Sequence, residues 1–136
     1  MSSNENKLIL WFEEVGKEDV SIVGGKSANL GELIARAKVP VPPGFSVTTY
    51  AYKKFLEDTK IKDKIFNILE KADIKEFQQL EEASNKIRQI IESKPVPDEI
   101  KKAILDSYDE LSKRMNEKEP LVAVRSSASA EDKVMV

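Results

Sequence analysis

Residues 39–48 read VPVPPGFSVT, and no other stretch limits the fold so firmly. Each proline fixes φ at about −65° and carries no N–H, and the residue before it is pushed out of the helical region. The chain must therefore run extended here, before Phe45 to Val47 pairs as a short strand. Upstream, Leu30, Leu33, Ile34 and Ala37 recur at helical spacing, which predicts an amphipathic helix over Ser27 to Lys38. Further upstream, KLILWFEEV, Lys7 to Val15, is apolar and aromatic enough for a strand, and Ser21 to Val23 reads as a second short one.

Downstream of the prolines the pattern turns helical. Thr48 suits the N-cap of a helix running through Asp58, with Tyr52, Phe55 and Leu56 on one face. Ile61, Ile65, Ile68, Leu69 and Ala72 mark a second helix, and Phe77, Leu80, Ile87 and Ile91 a third. PVPDE stops that helix and starts another, with Pro97 fitting a first turn and Asp98 and Glu99 suiting its dipole. Ile100, Ile104, Tyr108, Leu111 and Met115 form its apolar stripe. These stripes and charged faces are read as core and solvated surface, because amphipathic helices need both. Pro120 ends the helical part, and Leu121 to Val124, LVAV, reads as a short buried strand. The expected fold class is α+β (α/β): a small sheet built from the two ends, with the helical middle, about 61–116, packed on it as an insert-like bundle. No internal repeat or low-complexity segment breaks this single region, 1–136.

Composition narrows the function classes. The chain has 136 residues, 40% hydrophobic, enough for a modest core, and a net charge of −2. Such a balance gives no general attraction to nucleic acid or to an acidic membrane, so any anion site is local. With no cysteine, disulfides and thiolate metal sites are excluded. With no histidine, imidazole serves neither as a base, nor as a zinc ligand, nor as a phosphate carrier. No apolar run approaches the roughly 20 residues of a membrane span, and MSSNENK lacks the order of a signal peptide; a cytoplasmic location is expected.

Two segments carry candidate chemistry. GGKS at residues 24–27 invites a P-loop reading, but G-x-x-x-x-G-K-S/T places its first glycine where Val20 stands. The dinucleotide fingerprint G-x-G-x-x-G fails too, since Gly24, Gly25 and Gly31 have the wrong separations. What remains is a lysine, Lys26, at the start of a helix, where unpaired N–H groups and the dipole already favour an anion. A plain glycine turn with a solvated lysine fits this stretch as well. The second segment is VRSS: its strand would deliver Arg125, Ser126 and Ser127 at a C-terminal end, where α/β folds place ligand groups. Arginine offers a planar fork for phosphate oxygens, and serine hydroxyls add hydrogen bonds. A surface arginine salt-bridged to Glu131 or Asp132 is the alternative.

Read together, DVSIVGGKSANLGEL, VPVPPGFSVTTYAYKKFL and VAVRSSASAED resemble, in order and rough spacing, the N-terminal ATP-grasp nucleotide-binding region of phosphoenolpyruvate synthase (pyruvate, water dikinase). Pyruvate phosphate dikinase and rifampin phosphotransferase share similar segments, whereas LILWFEEVGKEDVSIVGGK looks closest to the synthase. The helices from Ile61 to Asn116 add little to the match.

The resemblance implies that Lys26 and Arg125 contact the ATP phosphates, with Ser126 and Ser127 beside them. It implies that Gly24 and Gly25 set backbone geometry, and that the Pro42-Pro43-Gly44 turn shapes a cleft wall. Glu131 and Asp132 match the family's AED and are read as structural. In the intact family, ATP with Mg2+ phosphorylates a histidine on a swivelling domain, which carries the phosphoryl group to a separate pyruvate site. After AED this sequence reads KVMV, where the family continues with a glycine-containing loop. The expectation is an N-terminal piece of a synthase-type ATP-binding domain, inactive alone, that works with the remaining domains in cis or trans. The alternatives are a non-catalytic or regulatory module that pairs with a synthase-like partner chain, and an anion-sensing domain without enzymatic ancestry.

Overall fold

The computed structural model describes residues 3–127 of the chain. It is an α+β structure of two short strands and five α-helices. Strand β1 (Ile9–Trp11) pairs antiparallel with β2 (Phe45–Val47), in the register Ile9 with Val47, Leu10 with Ser46 and Trp11 with Phe45. The proline run therefore ends as expected in a strand. The sheet, however, is built from residues 9–47 rather than from both ends of the chain.

Helix α1 (Val20–Ala35) follows two 3-10 turns, Phe12–Glu14 and Lys17–Asp19. It begins seven residues before the Ser27 expected from the sequence and absorbs Ser21–Val23, which does not form a strand. Packing decides this: Val23 and Ala28 are buried with Leu10 and Val15, and Val20 and Ile22 pack against that cluster. Burial of this kind, worth about 1.5–3 kcal/mol for each large apolar side chain, outweighs the tenths by which β-branched residues disfavour helix. Gly31 lets α1 press on the preceding turns. A Cβ there would lie 2.0 Å from the Val15 carbonyl oxygen.

Thr48 caps α2 (Thr49–Thr59) as expected: the Ala51 N–H donates to its hydroxyl at 3.2 Å. That hydroxyl also donates to the Lys7 carbonyl at 2.5 Å, which ties the helix start to the chain beside β1. Ser46, the middle residue of β2, donates its hydroxyl to that of Ser27 at 2.6 Å, and both serines are buried. One hydrogen bond thus fixes the sheet to α1 at the residue that follows Lys26.

Helices α3 (Lys62–Lys71), α4 (Phe77–Glu92) and α5 (Asp98–Met115) fall where the apolar stripes place them. The described residues divide into two compact units, 3–52 with 98–127, and Lys53–Pro97. In the second, α3 and α4 pack together, with Ile61 and Ala83 buried. In the first, α5 adjoins β1, and Ile100 and Leu111 are its buried residues. Asp98 and Glu99 occupy its first turn and Lys113 and Arg114 its last, both complementing the dipole. Among the described residues no helix is long and apolar enough to cross a membrane.

A second strand expected from sequence is also absent among the described residues. Leu121–Val124 has no secondary structure, and Leu121 and Val124 are 97% and 92% exposed. A strand exists only beside a hydrogen-bonded neighbour, and among the described residues the sheet contains β1 and β2 alone.

Candidate functional site

Lys26 owes its position to one peptide. Gly24 has φ 83° and ψ 167°, a break inside α1, while the residues on either side are helical. That combination is open essentially to glycine only. The part of α1 after the break starts afresh, so Gly25, Lys26 and Ser27 occupy its first turn, where the dipole is positive. Ser27 and Ala28 point inward and are buried, whereas Lys26 is exposed.

The VRSS segment returns to this turn after about a hundred residues. The Lys26 ammonium donates to the Ser126 carbonyl at 3.2 Å, and the Ser127 hydroxyl donates to the Val23 carbonyl at 2.6 Å. The upstream end of the segment is tied as well, because the Tyr108 hydroxyl donates to the Pro120 carbonyl at 2.7 Å. Arg125 lies between these ties and is exposed. Lys26, Ser126 and Ser127 are thus brought together around Gly24 and Gly25, with Arg125 adjacent in sequence. Glu131 and Asp132, the alternative partners of Arg125, lie outside the described residues.

Gly44 stands elsewhere in the same unit. Its carbonyl accepts from the Phe12 N–H at 3.1 Å, and a Cβ on it would come 2.3 Å from the Phe12 ring. Pro42 and Pro43 line a groove of about 380 Å³ with Phe12, Ile34, Val41 and Arg114, among others. None of Lys26, Arg125, Ser126 or Ser127 lines it. At its edge the Arg114 guanidinium lies 3.7 Å over the Trp11 ring and pairs with Glu13.

Two participants escaped sequence reading. Val23 contributes a backbone carbonyl, which no side-chain pattern announces. Ser46 supports the turn through Ser27, and its only sequence signal is a polar residue at the inward position of an otherwise apolar strand, FSV.

A family model described as "Pyruvate phosphate dikinase, AMP/ATP-binding domain" matches residues 20–135. The match opens at the first residue of α1 and takes in both the Lys26 turn and the VRSS segment. The chain belongs to this family. Within the pyruvate phosphate dikinase AMP/ATP-binding domain family, its curated relatives include phosphoenolpyruvate synthases. A "Probable phosphoenolpyruvate synthase" of Staphylothermus marinus is 53% identical over 130 residues, covering 94% of this chain and 16% of that protein. The phosphoenolpyruvate synthase of Aeropyrum pernix is 44% identical over 129 residues, covering 94% and 16%. That of Pyrococcus furiosus is 40% identical over 158 residues, covering 93% and 19%. The resemblance drawn from the three motifs therefore holds, and the chain spans less than a fifth of the length of these family members.

Proposed function

We propose that this chain supplies the phosphate-holding corner of an ATP site, as the leading part of an ATP-grasp domain of the phosphoenolpyruvate synthase type. In this reading Lys26 and Arg125 meet the ATP phosphates, and the γ-phosphoryl group goes to a histidine carried on another domain. The chain itself has no histidine, so the acceptor lies elsewhere in the assembly. The observation that carries the reading is the hydrogen bond from the Lys26 ammonium to the Ser126 carbonyl, which joins the two cation-bearing motifs across a hundred residues.

Two cations suit this work. Phosphoryl transfer asks the protein for position and for stabilisation of shifting negative charge more than for covalent chemistry. Lys26 presents a point charge at a helix start, and Arg125 a planar fork able to bind two oxygens at once. The Mg2+ used by the intact family is a different matter. Among the described residues no group of three or more acidic, histidine or cysteine side chains is placed to hold a metal. We therefore assign no step here to a metal.

The test is an ATP titration of the 15N-labelled chain followed by NMR, which detects affinities down to the millimolar range. Amide shifts should centre on Gly25, Lys26 and residues 125–127. A charge-assisted hydrogen bond is worth about 1.5–3 kcal/mol, so Lys26→Ala and Arg125→Ala should each weaken binding roughly 10- to 100-fold. Affinity that survives both substitutions, or shifts confined to other residues, refutes the site. Turnover of ATP and pyruvate by the purified chain would refute the inactivity we expect of it alone.

The exposure of Leu121 and Val124 favours a second reading, a non-catalytic module that pairs with a synthase-like chain. Co-elution with a full-length phosphoenolpyruvate synthase in size-exclusion chromatography supports that reading, and separate elution overturns it.

A further inference from the structure

Ser127 offers a hydroxyl two residues beyond Arg125, and the sequence reading places it among the phosphate ligands. A hydroxyl has one proton to donate, and that of Ser127 goes to the Val23 carbonyl at 2.6 Å. What the oxygen then turns outward is lone-pair density, which repels a phosphate oxygen. Its acceptor is well chosen for holding something in place. Val23 is 3% exposed and packs with Leu10, Val15 and Ala28, so its carbonyl is a rigid post. The next residue is Gly24, where the backbone leaves the helix.

Ser127 and Ser126 grip this turn from both sides. Ser127 holds Val23, before the break, and the Ser126 carbonyl holds the Lys26 ammonium, after it. A single contact lets a segment pivot; two contacts that straddle the break fix its orientation. Among the described residues no backbone hydrogen bond engages Leu121–Val124, and the nearest upstream tie is at Pro120.

We infer that Ser127 is a positioning residue: its hydrogen bond to the Val23 carbonyl latches the Arg125 segment onto the Gly24 turn and so sets the spacing between Lys26 and Arg125. The inference deepens the ATP reading, and its consequence for ATP rests on that reading. The latch itself is tested independently of it.

The first measurement needs no ligand. Ser127→Ala should speed amide hydrogen exchange at Gly24–Lys26 and Arg125–Ser126 by roughly fivefold, the loss of one ordinary hydrogen bond. Ser127→Thr keeps the hydroxyl and should restore the slow rate. Unchanged exchange in the alanine variant, or equal acceleration in both, overturns the latch. The second measurement is the ATP titration. Ser127→Ala should weaken ATP several-fold in the wild-type background and have no further effect in Arg125→Ala, because Ser127 acts by placing that cation. An equal loss in both backgrounds means that Ser127 meets the nucleotide directly and overturns the positioning role. If Lys26→Ala leaves ATP affinity unchanged, the ATP reading fails, and the exchange result still decides the latch.

Discussion

Gly24 is the residue on which the candidate site turns. With φ 83° and ψ 167° it occupies backbone space that a side chain enters only under strain of about 1–3 kcal/mol. Gly24→Ala should lower unfolding free energy by about that amount in urea titrations, and it should weaken any ATP binding along with it because Lys26 follows two residues later. Ser27 and Ser46 make a second residue-scale test. Each alone, changed to alanine, strands a buried hydroxyl and should cost about 1–2 kcal/mol; the double variant removes both hydroxyls and should cost clearly less than the sum. At this scale the sequence was partly legible. Lys26 and Gly24 announce themselves, since a lysine after paired glycines is a recognisable pattern. The Val23 carbonyl does not, because every residue has one, and neither does the Ser27 to Ser46 bond, because a buried serine looks in sequence like any other.

The elements were legible wherever hydrophobic period and punctuation agreed. α3, α4 and α5 follow their stripes, α2 begins after Thr48, and β2 emerges from the prolines. Of the strand expected over Lys7–Val15 only Ile9–Trp11 forms, with Phe12–Glu14 a 3-10 turn; two further misread segments, Ser21–Val23 and Leu121–Val124, are short β-branched runs, for which local propensity gives one answer and the surroundings another. The first is drawn into α1 by the Leu10 and Val15 cluster; the second has no neighbouring strand among the described residues. The contact of α1 with its preceding turns yields a sharp prediction. Gly31→Ala places a methyl 2.0 Å from the Val15 carbonyl oxygen, a clash with backbone that no rotamer relieves. The expected loss is about 3 kcal/mol, the upper part of the overpacking range, and thermal unfolding monitored by circular dichroism measures it.

Across the molecule, the described apolar side chains include several that make no core, with Ile74, Phe77, Leu121 and Val124 each more than 60% exposed. Leu121→Lys combined with Val124→Lys should leave the unfolding free energy within about 0.5 kcal/mol of wild type, as for other exposed positions, while reducing self-association seen in sedimentation. A marked loss of stability would mean that this segment carries packing the fold depends on. The hydrogen bond between Ser127 and Val23 has a consequence in time as well as in space. Joining residues 104 apart means closing a long loop, at an entropic cost of about 4 kcal/mol, so this contact cannot lead the folding of the chain. On a ribosome adding roughly 5–20 residues each second, Lys26 emerges on the order of 5–20 s before the segment that completes its surroundings. Through that interval the contacts available to the glycine turn are those with Ser27, Ser46 and the Leu10 cluster, and the pairing of its lysine with VRSS can form only after them.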